Sequence, residues 1–329
     1  MNPATRYWQR KISDLALYLD KHTTFSGIYS DAVTGPPQIC GMPTTAEGGH
    51  ATKFVGGSAW ADGVKRMWMQ LRHKAGAGVA LMSESNAEAY IGVLHANLAL
   101  YGFRSCGHVP AFQSVYADHT VMVGALGMDI LAGRFAGKFA GTGTWSPGSP
   151  SAQDRDAYRA LLAEQLSYGS QLGWLDAAQA LQFFRRADSA DELAYTRKLV
   201  RLKVQWQAFL TTGRLLRPPR VVAASAGADA PHMPRLNLTG SAIQQGSCMV
   251  DMVVSSAWAN GAGEAIWLGV NHGKTAVQVT VRLRVDDARV VLRSHRPLPA
   301  SGGWQRLHGV REVEVTRLVP ALAGVVVEL

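Results

Sequence analysis

The spacing of apolar and polar positions changes once along the chain. Up to about residue 217, stretches of helical period alternate with short apolar runs; beyond about residue 235 the apolar positions recur every second residue. The first helical stretch spans 3–22. Asn2 is placed to cap it, Pro3 occupies the tolerated first position, and Tyr7, Trp8, Ile12, Leu15, Ala16 and Leu19 form one apolar stripe. A short strand at 25–29 follows and closes at Asp31. A second helix at 58–74 carries Trp60, Val64, Met67, Trp68 and Leu71 on one face. Gly78 then bounds a short apolar run, 79–82, that reads as a buried parallel strand. Polar residues crowd its end: Ser83, Glu84, Ser85, Asn86 and Glu88.

Past Asn86 the helical period returns. Residues 111–116 read as a third strand, ending at Asp118 and His119, and 120–132 as a helix. Helices are expected at 153–168, 176–186 and 191–212, with a strand end at 171–175 between the first two. Residues 218–234 are rich in Pro, Ala and Gly and mark a boundary. The period-two runs after it lie at 249–253, 265–270, 276–283, 289–293, 310–316 and 324–328.

Alternating helices and strands imply parallel pairing through right-handed crossovers. Three or four such strands cannot close an eight-stranded barrel. The expected fold is therefore α/β: a partial (β/α) barrel, its C-terminal half, over 1–217, a linker at 218–235, and an all-β sandwich at 236–329.

Composition narrows the picture modestly. Apolar residues make up 47% and charged residues 17%, which describes a folded chain rather than a disordered one. The net charge of +9 is scattered, with no basic run and no nucleic-acid-binding signature, so a solvated basic face is expected and a nucleic-acid partner is not. Cys40, Cys106 and Cys248 are far apart in sequence and read as three free thiols. The start of the chain has no signal-peptide pattern and no stretch is long and apolar enough to span a bilayer. A cytoplasmic protein without a membrane partner is expected, or a secreted one if the natural start lies upstream.

The candidate chemistry lies at two strand ends. Carboxylates on neighbouring parallel strands face one mouth, which is where barrel enzymes place their chemistry. Asp31 and Glu84 form such a pair. Two carboxyl groups roughly 5–5.5 Å apart suit a retaining glycosidase, in which one attacks the anomeric carbon and the other protonates the leaving oxygen. Tyr29 can hydrogen-bond a carboxylate or a sugar, and Glu88 follows Glu84 by one helical turn. His50, His108 and His119 match no familiar metal-ligand spacing, so no metal and no cofactor are expected. No nucleophile-elbow serine, phosphate-binding loop or dinucleotide fingerprint is present.

Six segments in order, P-A-T-R-Y-W-Q at 3–9, G-I-Y-S-D at 27–31, P-P-Q-I-C at 36–40, G-G-H at 48–50, S-E-S-N-A-E-A-Y at 83–90 and V-P-A-F-Q-S-V-Y at 109–116, carry a resemblance. They resemble an uncharacterised family of TIM-barrel glycoside hydrolases, a domain of unknown function distantly similar to endo-α-N-acetylgalactosaminidases. The resemblance covers about residues 3–220. It implies that Asp31 matches the nucleophile and Glu84 the general acid/base. Two small departures are Ser30, where the family usually has an apolar residue, and Ser85, near which it has glycine or cysteine. The larger departure is the absent N-terminal half of the barrel.

The expected function is retaining hydrolysis of an oligosaccharide or glycan. Tyr29, His50, Asn86, Glu88, Tyr116 and Asp118 would line the sugar site, with Trp145 and Trp174 stacking on it. The alternative is a catalytically inactive carbohydrate-binding remnant of such an enzyme. An upstream polypeptide or second subunit that completes the barrel is the partner this reading calls for.

Overall fold

The structure is a computed structural model. It describes residues 5–31, 57–75, 78–84, 88–99, 109–125, 150–173, 177–217, 220–223, 233–239, 247–284 and 312–328. The chain forms two compact units, residues 1–101 with 119–123, and residues 102–118 with 124–329.

The first unit opens with helix α1 (Arg6–His22). Thr5 caps it, its hydroxyl accepting from the Trp8 amide at 3.4 Å. The expected cap Asn2 and the expected first residue Pro3 lie outside the described residues. Strand β1 (Gly27–Ser30), helix α2 (Gly57–Ala75) and strand β2 (Ala80–Glu84) follow. On α2, Val64, Met67, Trp68 and Leu71 are fully buried, because the apolar residues recur at one helical face and that face covers the sheet. They share a core with Val79, Leu81 and Ile28.

The stripe predicted on α1 is only half right. Trp8 and Ile12 pack against this core and Ala16 is buried, but Tyr7, Leu15 and Leu19 are exposed. The buried line on α1 is instead Gln9, Ser13 and Ala16. Small and amide side chains at that spacing let two helices approach closely. Gln9 uses the approach to donate to the Gly63 carbonyl of α2 and to accept from Gln70.

Three predicted elements after Glu84 have the opposite type. Where the helical period was expected to resume there is a single 3₁₀ turn, Glu88–Tyr90, followed by strand β3 (Ala96–Ala99). The predicted strand at 111–116 is helix α3 (Ala111–Tyr116), which belongs to the second unit. The predicted helix at 120–132 begins as strand β4 (Val121–Ala125), the rest of it lying outside the described residues. Short apolar runs carry no periodicity long enough to separate helix from strand, and sheet pairing decides them. Within the first unit the sheet order is β1-β2-β3-β4, and strand β5 (Gln171–Gly173) belongs to the second unit. β1 with β2 and β2 with β3 run parallel.

In the second unit, helix α4 (Ala152–Ser167) starts in a reciprocal capping box. The Ser151 hydroxyl accepts from the Asp154 amide, and Asp154 accepts from the Ser151 amide at 2.9 Å. Helices α5 (Ala177–Phe184), α6 (Ala190–Gln205) and α7 (Gln207–Leu210) follow. Beyond them lie β6 (Arg214–Leu216), β7 (Arg220–Ala223), β8 (Arg235–Thr239), β9 (Ser247–Asp251), β10 (Val253–Ala259), β11 (Ala265–Asn271), β12 (Val277–Arg284), β13 (Glu312–Val319) and β14 (Ala323–Glu328). β7 falls inside the stretch read as a linker. Its R-V-V-A segment is strand-forming despite its Pro- and Gly-rich flanks, and it pairs with β12.

The antiparallel sheets have the orders β14-β11-β10-β6 and β13-β12-β7, with β8 and β9 as a separate pair. β11 is buried at every position. Its Ile266, Leu268 and Val270 pack with Tyr158, Leu162 and Leu166 of α4 and with Tyr195 and Leu199 of α6. Its Ala265 and Trp267 pack with Val277, Val279 and Val281 of β12 and with Val319 of β13. A strand covered on both faces reads as one continuous apolar run, and A-I-W-L-G-V is such a run. Beneath α4, both Arg155 and Arg159 reach the buried Glu192 of α6, at 2.6 and 2.5 Å. Cys248 on β9 is disulfide-bonded, which corrects the expectation of three free thiols. Distance along the sequence says nothing about approach in space.

Candidate active site

Side chains alternate across a strand, and in β1 and β2 the packing fixes which face each takes. Leu81 and Ser83 are buried toward the side that α1 and α2 cover, and Ile28 packs on the same core. The intervening residues Tyr29, Met82 and Glu84 therefore point to the opposite face. The register aligns Ile28 with Leu81, Tyr29 with Met82, and Ser30 with Ser83. The next pair in that register is Asp31, the first residue past β1, beside Glu84, the last residue of β2. The Ser83 hydroxyl donates to the Ser30 carbonyl at 2.7 Å and ties the two strand ends together at that level.

Tyr29 joins the pair. Its hydroxyl donates to Asp31 Oδ1 at 3.2 Å. Burial pushes the phenol well above its ordinary range, and the charges of Glu84 and Asp31 push it in the same direction. Two acids and a phenol at adjacent strand ends can orient one nucleophilic oxygen and keep one proton available for donation.

The other predicted site residues have the following places. Glu88 is exposed on the 3₁₀ turn after β2. Tyr116 lies on α3 in the second unit, its ring 4.9 Å from that of Phe112, and Asp118 is exposed in the turn that follows. Neither sits at a strand end, because the segment before them is helical. His50, Asn86, Trp145 and Trp174 lie outside the described residues. The Ser83 tie was missed in the sequence. Its only signal was a serine at an inward-alternating position just before Glu84.

His95, at the start of β3, has a structural task. Its Nδ1 accepts the Leu81 amide of β2 at 2.9 Å, and burial, then the Arg72 charge, lowers its pKa. Buried Asn97 on β3 donates to the Thr120 hydroxyl at 2.8 Å. Among the described residues no three His, Cys, Asp or Glu side chains gather as a metal ion would need, and no helix is long and apolar enough to cross a membrane.

Residues 1–126 match a family described as a domain of unknown function (DUF6259). A protein of Monosiga brevicollis named "Putative glycoside hydrolase 22789" is 25% identical over 245 residues, covering 68% of this chain. This chain spans only 19% of that protein's length. Among solved structures, an α-amylase from H. orenii matches with a TM-score of 0.47 at 13% identity, over 98% of this chain and 64% of the other. An α-galactosidase I from Mortierella vinacea matches with a TM-score of 0.40 at 10% identity, over 96% and 79%.

Proposed function

We propose that this chain is the catalytic part of a retaining glycoside hydrolase acting on an oligosaccharide or glycan. The observation that carries the reading is the alignment of Asp31 and Glu84 at the ends of paired parallel strands, with the Tyr29 phenol hydrogen-bonded to Asp31. The name of the Monosiga relative agrees with it. The architecture fitted to this function is the C-terminal half of a barrel over 1–217, joined through 218–235 to a β-sandwich at 236–329. The two modules would share the packing of α4 and α6 on β10 and β11.

In the first step an oxygen of the ionised Asp31 bonds to the anomeric carbon. The glycosidic C–O bond breaks, and its electron pair goes to the leaving oxygen, which takes the proton of Glu84. In the second step Glu84, now ionised, takes a proton from water. That water attacks the anomeric carbon and releases Asp31 as a carboxylate, with retained configuration.

The test uses 4-nitrophenyl glycosides of both anomers over a panel of sugars. Asp31→Ala and Glu84→Gln are each expected to abolish turnover, and azide to restore it in the Asp31→Ala protein as a glycosyl azide. Unchanged rates in both variants would end the assignment. Sugar binding without turnover in the unaltered protein would favour the carbohydrate-binding remnant instead.

A further inference from the structure

We infer that His95 is a positioning residue for Glu84: its imidazole stands in for a backbone carbonyl and holds β2 at the level where Glu84 meets Asp31. The catalytic consequence rests on the glycosidase reading; the clamp itself does not. Successive residues of β2 bond to opposite neighbours. Ala80 gives its amide to the Ser26 carbonyl, on the β1 side, at 2.9 Å. Leu81 faces β3, and its carbonyl accepts the His95 amide at 2.8 Å. In a regular parallel ladder the Leu81 N–H would then go to the carbonyl two residues before His95, that of Val93. The chain is not extended there. The Val93 and Leu94 amides both donate to the Tyr90 carbonyl at 3.0 Å and close a turn. The Leu81 N–H goes instead to His95 Nδ1 at 2.9 Å. A single residue thus engages both polar backbone groups of Leu81.

The same residue reaches the next strand. Its carbonyl accepts the Val121 amide of β4 at 2.9 Å and the Thr120 hydroxyl at 3.4 Å. His95 therefore fixes β2, β3 and β4 at one level. Above it the register runs Met82 with Ala96, Ser83 with Asn97 and Glu84 with Leu98. Slipping a strand by one residue turns every side chain to the other face, so a slip of β2 would carry Glu84 away from Asp31. An amide enclosed without an acceptor is costly, so loss of the ring acceptor loosens the entry of β2. Accepting at Nδ1 puts the ring's hydrogen on Nε2. Burial, then the Arg72 charge, lowers the ring's pKa and so favours this neutral form.

The experiment compares His95→Asn with His95→Leu. The asparagine Oδ1 stands close to the place of Nδ1 and can accept the Leu81 amide. Leucine has the bulk and no acceptor. With the aryl glycosides, His95→Leu is expected to lower kcat by roughly 10- to 100-fold with KM little altered, since a displaced acid costs rate rather than binding. His95→Asn is expected to recover most of that loss. A merely structural ring would lower the melting temperature of both variants and leave the rate of the folded protein unchanged.

A second readout needs no turnover. In the nitrogen-labelled wild type, the Leu81 amide nitrogen and His95 Nδ1 are expected to show a scalar coupling across the hydrogen bond. NOEs between the backbones of β1 and β2 report their register with no sugar present; they are expected to persist in His95→Asn and weaken in His95→Leu. If Asp31→Ala and Glu84→Gln are inactive while His95→Leu keeps the wild-type kcat, or while both His95 variants are equally slow, the inference fails and the glycosidase reading survives. If Asp31→Ala and Glu84→Gln retain activity, that reading fails. The clamp is then decided alone: no coupling in the wild type, or unchanged NOEs in His95→Leu, overturns it. If His95→Leu does not fold, the wild-type coupling together with a near-wild-type rate in His95→Asn upholds the inference, and loss of either overturns it.

Discussion

His272 follows β11 and is enclosed, with Nε2 2.9 Å from the Asp251 carbonyl and Nδ1 buried without a partner. Nε2 must then carry the hydrogen. Burial lowers the ring's pKa to about 4. The unfolded chain takes up this proton near pH 6.5 and the folded one only near 4, so protonation favours unfolding between those values. Above about pH 6.5 the group costs the fold nothing; stability is lost as pH falls from there toward 4. Urea midpoints of wild type and His272→Asn across that window are expected to diverge, with the wild type losing up to about 1.4 kcal/mol more per pH unit. Equal slopes would show that the ring titrates alike in both states. Individual residues were unevenly legible in the sequence. A carboxylate after a strand announces itself, so Asp31 and Glu84 could be paired from the one-dimensional pattern. The phenol of Tyr29 could be read only as a partner for a carboxylate or a sugar; that it takes Asp31 is settled by the geometry of the strand end.

Between residue and fold, the C-terminus of α4 shows how one helix is fastened. Gly169 has φ +76°, and its amide donates to the Leu166 carbonyl at 3.0 Å. Trp258 of β10 donates its indole N–H to the Ser167 carbonyl at 3.1 Å, and Lys203 of α6 donates to the Gly169 carbonyl at 2.6 Å. A methyl group on Gly169 would stand 2.4 Å from the Trp258 ring. Gly169→Ala combines a left-handed backbone with overpacking and is expected to cost about 2–4 kcal/mol in urea unfolding. A loss under about 0.5 kcal/mol would show that the indole moves aside freely. Element type was legible where the pattern was long: α2, α4 and α6 follow from apolar residues repeated over several turns. It failed at A-N-L-A, A-F-Q-S-V-Y and V-M-V-G-A, which are four to six residues each. At that length aromatic and β-branched residues suit either state, and the deciding hydrogen bonds come from elsewhere in the chain.

At the scale of the whole molecule, the disulfide at Cys248 sets a countable property. The chain has three cysteines, and one intrachain disulfide leaves one thiol. Thiol titration of the denatured protein is expected to find one reactive group before reduction and three after. Three before reduction would mean the bond does not form in solution. Change of period along the sequence marked where strands take over from alternating elements, but it could not reveal that helices α4 and α6 pack on the sheet that follows them, because packing between elements leaves no periodic trace. The alignment of β1 with β2 has one more implication. Because Ile28 and Leu81 seat both strands against the helices, the spacing of the two acids is inherited from hydrocarbon side chains. An engineer, or natural variation, could retune the chemistry without altering a single charged residue, by changing how those two aliphatic groups fit.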